Sequence, residues 1–120
     1  MDQKERIEGN KLIAEFMDVI IKDRKGPYKY HVMDEDWTEE GLRYHFNWNW
    51  MMEVIEKIGK DYNVRITWTA DAMEVTYIDR PDIDDDNSIA DFGGFGPIMN
   101  TWKCVVKFIE WYNAKFKKKS

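Results

Sequence analysis

The chain has little cysteine, proline or histidine: one Cys, three Pro and two His in 120 residues. Cys104 has no partner for an intrachain disulfide, and a reduced thiol is natural to the cytoplasm, so a cytoplasmic location is expected. Long apolar runs are also missing, and crossing a bilayer as a helix takes about 18 of them in succession, so no membrane span is expected. Met1-Asp2-Gln3-Lys4-Glu5-Arg6 is mixed in charge and leads into no apolar stretch of the signal-peptide kind. His31 and His45 each follow a tyrosine, and no Ser or Cys stands in a nucleophile's setting beside them. Acid–base chemistry needs such convergence, so both histidines read as structural or surface groups, with no catalytic residue and no cofactor expected. A metal site of His45 with Asp36 or Glu40 lacks ligand spacing.

What the chain has in quantity is aromatic side chains: six Trp, six Tyr and six Phe. Each buries much area, which lets a short chain build a core, and any surplus suits a binding surface. Charge is uneven along a net −5. Residues 71–91 carry eight acidic and one basic side chain, whereas residues 92–120 carry one acidic and six basic. A strongly acidic middle argues against general nucleic-acid binding, which requires a basic face. The basic tail over 115–120 reads as a solvated helix end that complements the helix dipole.

The length fits a single domain over 1–120. Residues 1–9 are either loose or an extension of the first helix; Asn10 is the expected N-cap, with Leu12, Ile13, Phe16, Met17 and Ile20 as the apolar stripe. Tyr28, Tyr30 and Val32 alternate as in a short strand, and 34–47 read as loop. Asn47 caps a second helix over 48–60, whose buried face is expected to hold Trp48, Met51, Met52, Ile55 and Ile58. Residues 63–69 and 73–78 alternate cleanly about a short Ala70-Asp71-Ala72 linker, a hairpin signal. A long acidic and glycine-rich loop, 79–96, leads to a last helix with Pro97 in its first turn and a stripe of Ile98, Trp102, Val105, Ile109, Tyr112 and Phe116. The expected fold is α+β: a small antiparallel sheet, the hairpin with 28–33 as an optional third strand, layered with three helices. Free sheet edges leave self-association into a homo-oligomer as an option.

Site candidates follow from this layout. With Trp48 in the stripe, Trp50 lies roughly 200° away and faces out. Trp37, Tyr44 and Trp50 then form a candidate aromatic surface, with Arg43 and Arg65 as charges for a phosphate; stacking on a base or anchoring a protein partner are its two uses. Phe92 and Phe95 flank a glycine-rich connection and either anchor it or present themselves to a partner. Gly93, Gly94 and Gly96 before a helix could face a phosphate, but neither a P-loop nor a dinucleotide fingerprint is complete here. Asp82, Asp84 and Asp86 occupy the first, third and fifth positions of an EF-hand-like loop, yet Asn87 and Gly93 stand where Gly and Glu are needed. A solvated acidic loop is the better reading, and Cys104 between apolar neighbours reads as a buried, inert thiol.

Three stretches taken in order resemble small uncharacterised proteins of bacteriophages and prophages, especially those of Bacteroidetes-type hosts. They are Asn10-Lys11-Leu12-Ile13-Ala14-Glu15-Phe16-Met17, then Tyr44-His45-Phe46-Asn47-Trp48-Asn49-Trp50-Met51-Met52-Glu53-Val54-Ile55-Glu56-Lys57-Ile58, then Val105-Val106-Lys107-Phe108-Ile109-Glu110-Trp111-Tyr112-Asn113. The resemblance implies a phage origin and a helix–sheet–helix layout, and carries no activity to any residue. The leading expectation is a non-enzymatic accessory protein that binds a host protein, for example to inhibit antiphage defence. The alternatives are an oligomeric sponge for a nucleotide signal, using Trp37, Arg43, Tyr44 and Trp50 with Gly93 to Gly96 as a phosphate-contacting loop, and, last, a metal-dependent hydrolase using Asp82, Asp84 and Asp86.

Overall fold

The first helix begins well before Asn10. In the computed structural model, which describes residues 2–62, 64–69, 71–77 and 88–116, α1 runs Gln3–Met17. Asp2 is extended and its carboxylate accepts the Glu5 N–H at 2.8 Å, which makes Asp2 the N-cap. Residues 3–9 therefore extend the helix, and the capping role expected of Asn10 is corrected: Asn10 sits mid-helix and buried. The helix stops at Asp18, a left-handed residue at φ 58° whose N–H reaches the carbonyls of Ala14 and Glu15.

Strands β1 (Tyr30–Val32) and β2 (Glu35–Trp37) form a separate antiparallel pair. Val32 faces Glu35, so Met33 and Asp34 make a two-residue turn, both at positive φ, as a turn matched to strand twist requires. Segment 28–33 is thus no member of the larger sheet, and part of 34–47 is strand rather than loop.

Helix α2 (Trp48–Asp61) starts at its expected cap: the Asn47 side-chain oxygen accepts the Trp50 N–H at 3.2 Å. The larger sheet is an antiparallel meander of β3 (Val64–Trp68), β4 (Ala72–Tyr77) and β5 (Ser88–Gly93), in that spatial order. The expected β3–β4 hairpin is present, with Ile66 opposite Val75 and Trp68 opposite Met73. The third strand is β5, read from sequence as part of the 79–96 loop; residues 79–87 of that loop lie outside the described ones. A bulge explains the difference. Val75 pairs with Ala90 while Thr76 pairs with Ser88, so Ile89 is passed over, and Ile89 and Ala90 are both buried. That breaks the alternation by which a strand is recognised.

Helix α3 (Pro97–Phe116) lies on β4 and β5, and α1 and α2 both pack against it. Trp102, Val105 and Ile109 of its expected stripe are buried, and Ile98 and Tyr112 half-buried; the side chain of Phe116 lies outside the described residues. Thr101, Cys104 and Phe108 are buried too, because a helix covered on several sides needs a wide apolar arc rather than one stripe. The opposite sheet face carries Arg65, Thr67, Glu74 and Asp91. Among the described residues, three helices with a two-strand and a three-strand antiparallel sheet make an α+β globule, as the patterning required.

Candidate interaction surface

The segment from Trp37 to Met52 gathers four of the predicted site residues, but as packing rather than as a platform. Trp37 ends β2, and its indole N–H donates to the Val32 carbonyl at 3.0 Å. Its ring meets the Trp50 ring edge-on, centroids 5.1 Å apart, and Tyr44 meets Trp50 at the same distance and angle. Such edge-to-face contacts add about 0.5–1.5 kcal/mol each to the burial they accompany. Tyr44 is 2% and Trp50 4% exposed, which corrects the outward placement expected of both. Burial, and then the nearby Glu53 carboxylate, hold the Tyr44 hydroxyl well above its ordinary pKa, so it stays neutral. Arg43 remains exposed, its guanidinium 4.5 Å from the centre of the Trp37 ring. A shallow hollow beside this cluster, about 410 Å³, is lined by Trp37, Arg43 and Trp50 with Met33, Glu35 and Asn49 among others.

What the segment exposes is its other aromatic and apolar side chains. Phe46 is 58%, Trp48 41% and Met52 49% exposed. Trp48 and Met52 are one turn apart on α2 and so lie on the same side of it. The sequence pattern assigned these two to the core and Trp50 to solvent; the inversion has a definite cause. Met51, Ile55 and Ile58 fix the centre of the buried face, and apolar residues flank it on both sides: Trp48 and Met52 on one, Trp50 and Val54 on the other. Periodicity does not choose between flanks. Trp37 and Tyr44, arriving from outside the helix, bury the second.

The glycine-rich connection is spoken for. The Gly94 N–H donates to the Asp71 carbonyl at 3.0 Å and the Phe95 N–H to the Asn100 side-chain oxygen at 3.1 Å. Asn100 in turn donates to the Asp71 carbonyl, so it locks the hairpin turn to the start of α3. Two N–H groups that a phosphate would need are therefore used internally. This connection lines a hollow with Asp71 and Ala72 that shares no residue with the one beside Trp37. Phe92 is half-buried, and Phe95 is 55% exposed beneath the Lys103 ammonium, 4.7 Å from the ring centre.

The remaining candidates are placed as follows. Cys104 is fully buried, its thiol donates to the Met73 carbonyl at 3.1 Å, and burial pushes its pKa up to about 11, which fits the inert reading. His31 lies exposed with Asp36, 2.8 Å away, and Arg24 bonds the other Asp36 oxygen at 3.0 Å; these two bonds, His31's first, hold the Asp36 carboxyl below its usual range. Asp82, Asp84 and Asp86 lie outside the described residues. Among the described residues no group of three His, Cys, Asp or Glu stands as a metal site, and no helix is long and apolar enough to cross a membrane.

Sequence reasoning missed one polar site altogether. Asn10, 1% exposed, accepts the Trp102 indole N–H at 2.8 Å and donates to the Leu42 carbonyl at 3.1 Å and to His45 Nδ1 at 3.0 Å. It thereby joins α1, the segment before α2, and α3. An Asn in mid-helix is the available signal, since such a residue gives up helix propensity and is repaid by tertiary bonds. Comparison with protein-family models, with curated proteins and with solved structures gave no match.

Proposed function

We propose that this chain is a non-enzymatic binding protein of the phage accessory kind, which captures a host protein, such as a component of antiphage defence, through Phe46, Trp48 and Met52. The observation that carries the reading is the exposure of these three large apolar side chains around the first turn of α2. Aromatic residues that project from a rigid element are the usual anchors of protein recognition, because they bury much area at small entropic cost. The phage assignment comes from the resemblance of the three sequence stretches.

The test is affinity capture from host lysate with wild type and with Trp48→Ala and Met52→Asp. A partner bound by wild type should lose at least about tenfold in affinity with either variant, the cost of a binding hot spot. Equal capture by both variants would overturn the surface assignment.

A second reading, sequestration of a nucleotide signal, draws support from the hollow where Arg43 stacks on Trp37 beside Trp50. In that reading Arg43 meets the phosphate, since the Gly94 and Phe95 N–H groups are engaged. Native mass spectrometry tests it: an oligomer carrying an added small mass supports sequestration, and a bare chain counts against it and leaves protein capture to the affinity experiment.

A further inference from the structure

Asn10 can face His45 in one way only. The Trp102 indole N–H is a pure donor, so the atom it reaches is the Asn10 oxygen. The Asn10 amide nitrogen then points to two acceptors, the Leu42 carbonyl and His45 Nδ1. His45 Nδ1 must therefore present its lone pair, and the neutral ring keeps its proton on Nε2.

We propose that this contact is a proton-operated latch: when His45 takes up a proton at Nδ1, donor meets donor, and the 45–47 stretch is released from α1 while Leu42 and Tyr44 stay in the core and the sheet and α3 stay folded. The surroundings bias the latch in a consistent direction. From α1, the Arg6 guanidinium acts on the ring with the same sign as an imidazolium, and its Nε is itself buried with no hydrogen-bond partner among the described residues. From α3, the neutral Trp102 indole stands behind Asn10. From the chain around His45, the Phe46 ring lies 4.7 Å from that of His45, Tyr44 is neutral, and Arg43 is stacked on Trp37. No carboxylate bonds the His45 ring among the described residues. Burial first, and Arg6 second, hold the His45 pKa below its ordinary value, so the latch is closed at neutral pH and opens as pH falls below the ordinary histidine value. The released segment carries Phe46 and Asn47, the cap of the helix that presents Trp48. The regulatory meaning rests on the proposed binding surface; the latch itself does not.

The experiment is amide hydrogen exchange by NMR on the full chain between about pH 7.5 and about pH 5, with both histidines titrated in the same samples. The reporters are the Phe46 and Asn47 amides, which bond the Arg43 carbonyl at 3.1 and 2.9 Å. After correction for intrinsic rates, their protection should fall, by up to about tenfold per pH unit, as pH drops from the ordinary histidine value to the lowered His45 midpoint, and level off below it, while the amides of Cys104 and Val105 hold. The Trp102 indole resonance should shift with that same midpoint. His45→Gln, which offers an acceptor to Asn10 but takes no proton, should stay closed throughout, and His31→Gln should respond like wild type. Unchanged protection while His45 visibly protonates would overturn the latch, as would an equal loss in His45→Gln or a loss that extends across α3. Should His45→Gln fail to fold, the wild-type titration and the His31→Gln control decide alone. None of these readouts involves a partner, so failure of the latch and failure of the binding surface are separate results.

Discussion

Gly9 and Asn10 are neighbours in the chain and serve the same indole from two directions. Asn10 fixes the Trp102 ring by its N–H, and Gly9 makes room for the ring's far edge: a Cβ on Gly9 would lie 2.6 Å from Trp102 Cη2 and closer still to Cζ2. The ring has no freedom to retreat, because its nitrogen is held. Alanine at a helical glycine ordinarily gains up to about 1 kcal/mol, whereas forcing atoms into a packed core costs about 1–3 kcal/mol. We therefore expect Gly9→Ala to destabilise the protein, by about 1–2 kcal/mol, against its helix propensity. Urea denaturation followed by tryptophan fluorescence checks it; a midpoint raised above wild type would mean that Trp102 is not pinned.

At the scale of the element, α2 shows how an amphipathic helix acquires its facing. Its centre, Met51, Ile55 and Ile58, is set by the sequence, and its roll by Trp37 and Tyr44 against Trp50. The two flanks should consequently differ in their response to charge. Val54→Asp buries an unpaired carboxylate in the core and should cost several kcal/mol, enough to unfold a small domain. Met52→Asp, on the exposed flank, should stay within about 0.5 kcal/mol of wild type. Circular dichroism melts of the pair decide it, and the reverse order would restore the facing read from periodicity. Helix α3 makes the complementary point: covered by sheet and helices, it buries Thr101 and Cys104 as well as its apolar stripe, with the Thr101 hydroxyl bonded to the Pro97 carbonyl at 2.8 Å.

For the whole molecule, the shifted groups define a pH window of stability. The His45 pKa is lowered in the folded state, so the unfolded chain binds the proton more readily; the associated stability is present above the ordinary histidine value and is lost as pH falls through the folded one. The Asp36 carboxyl, also lowered, adds a smaller loss further into acid, discounted because the ion pairs are exposed. Cys104 is raised, so its contribution is complete below the ordinary thiol value and is lost as pH rises toward about 11. Tyr30 and Tyr62, raised mainly by burial, act in the same alkaline direction. Urea midpoints should accordingly form a plateau from about pH 7 to about pH 8.5, with a shoulder on the acid side that His45→Gln flattens. A wild-type curve without that shoulder would remove His45 from the balance.

The sequence by itself determined the local elements: the hairpin from strict alternation about a short linker, the Asn47 cap, Pro97 at the head of α3, the buried thiol and the α+β class. These follow from rules that act over a few residues, where period, capping and turn chemistry suffice. Only the tertiary structure decided which flank of α2 is buried, that β5 and not 28–33 completes the sheet, that Trp50 and Tyr44 are core while Phe46 and Trp48 are surface, and that Asn10 is a buried junction and no cap. Each of these depends on contacts between residues distant in the chain. An apolar residue at the margin of a stripe, or a polar one in a helix, has two locally permissible positions. The choice belongs to whichever partner arrives from elsewhere in the fold, and no local period records it.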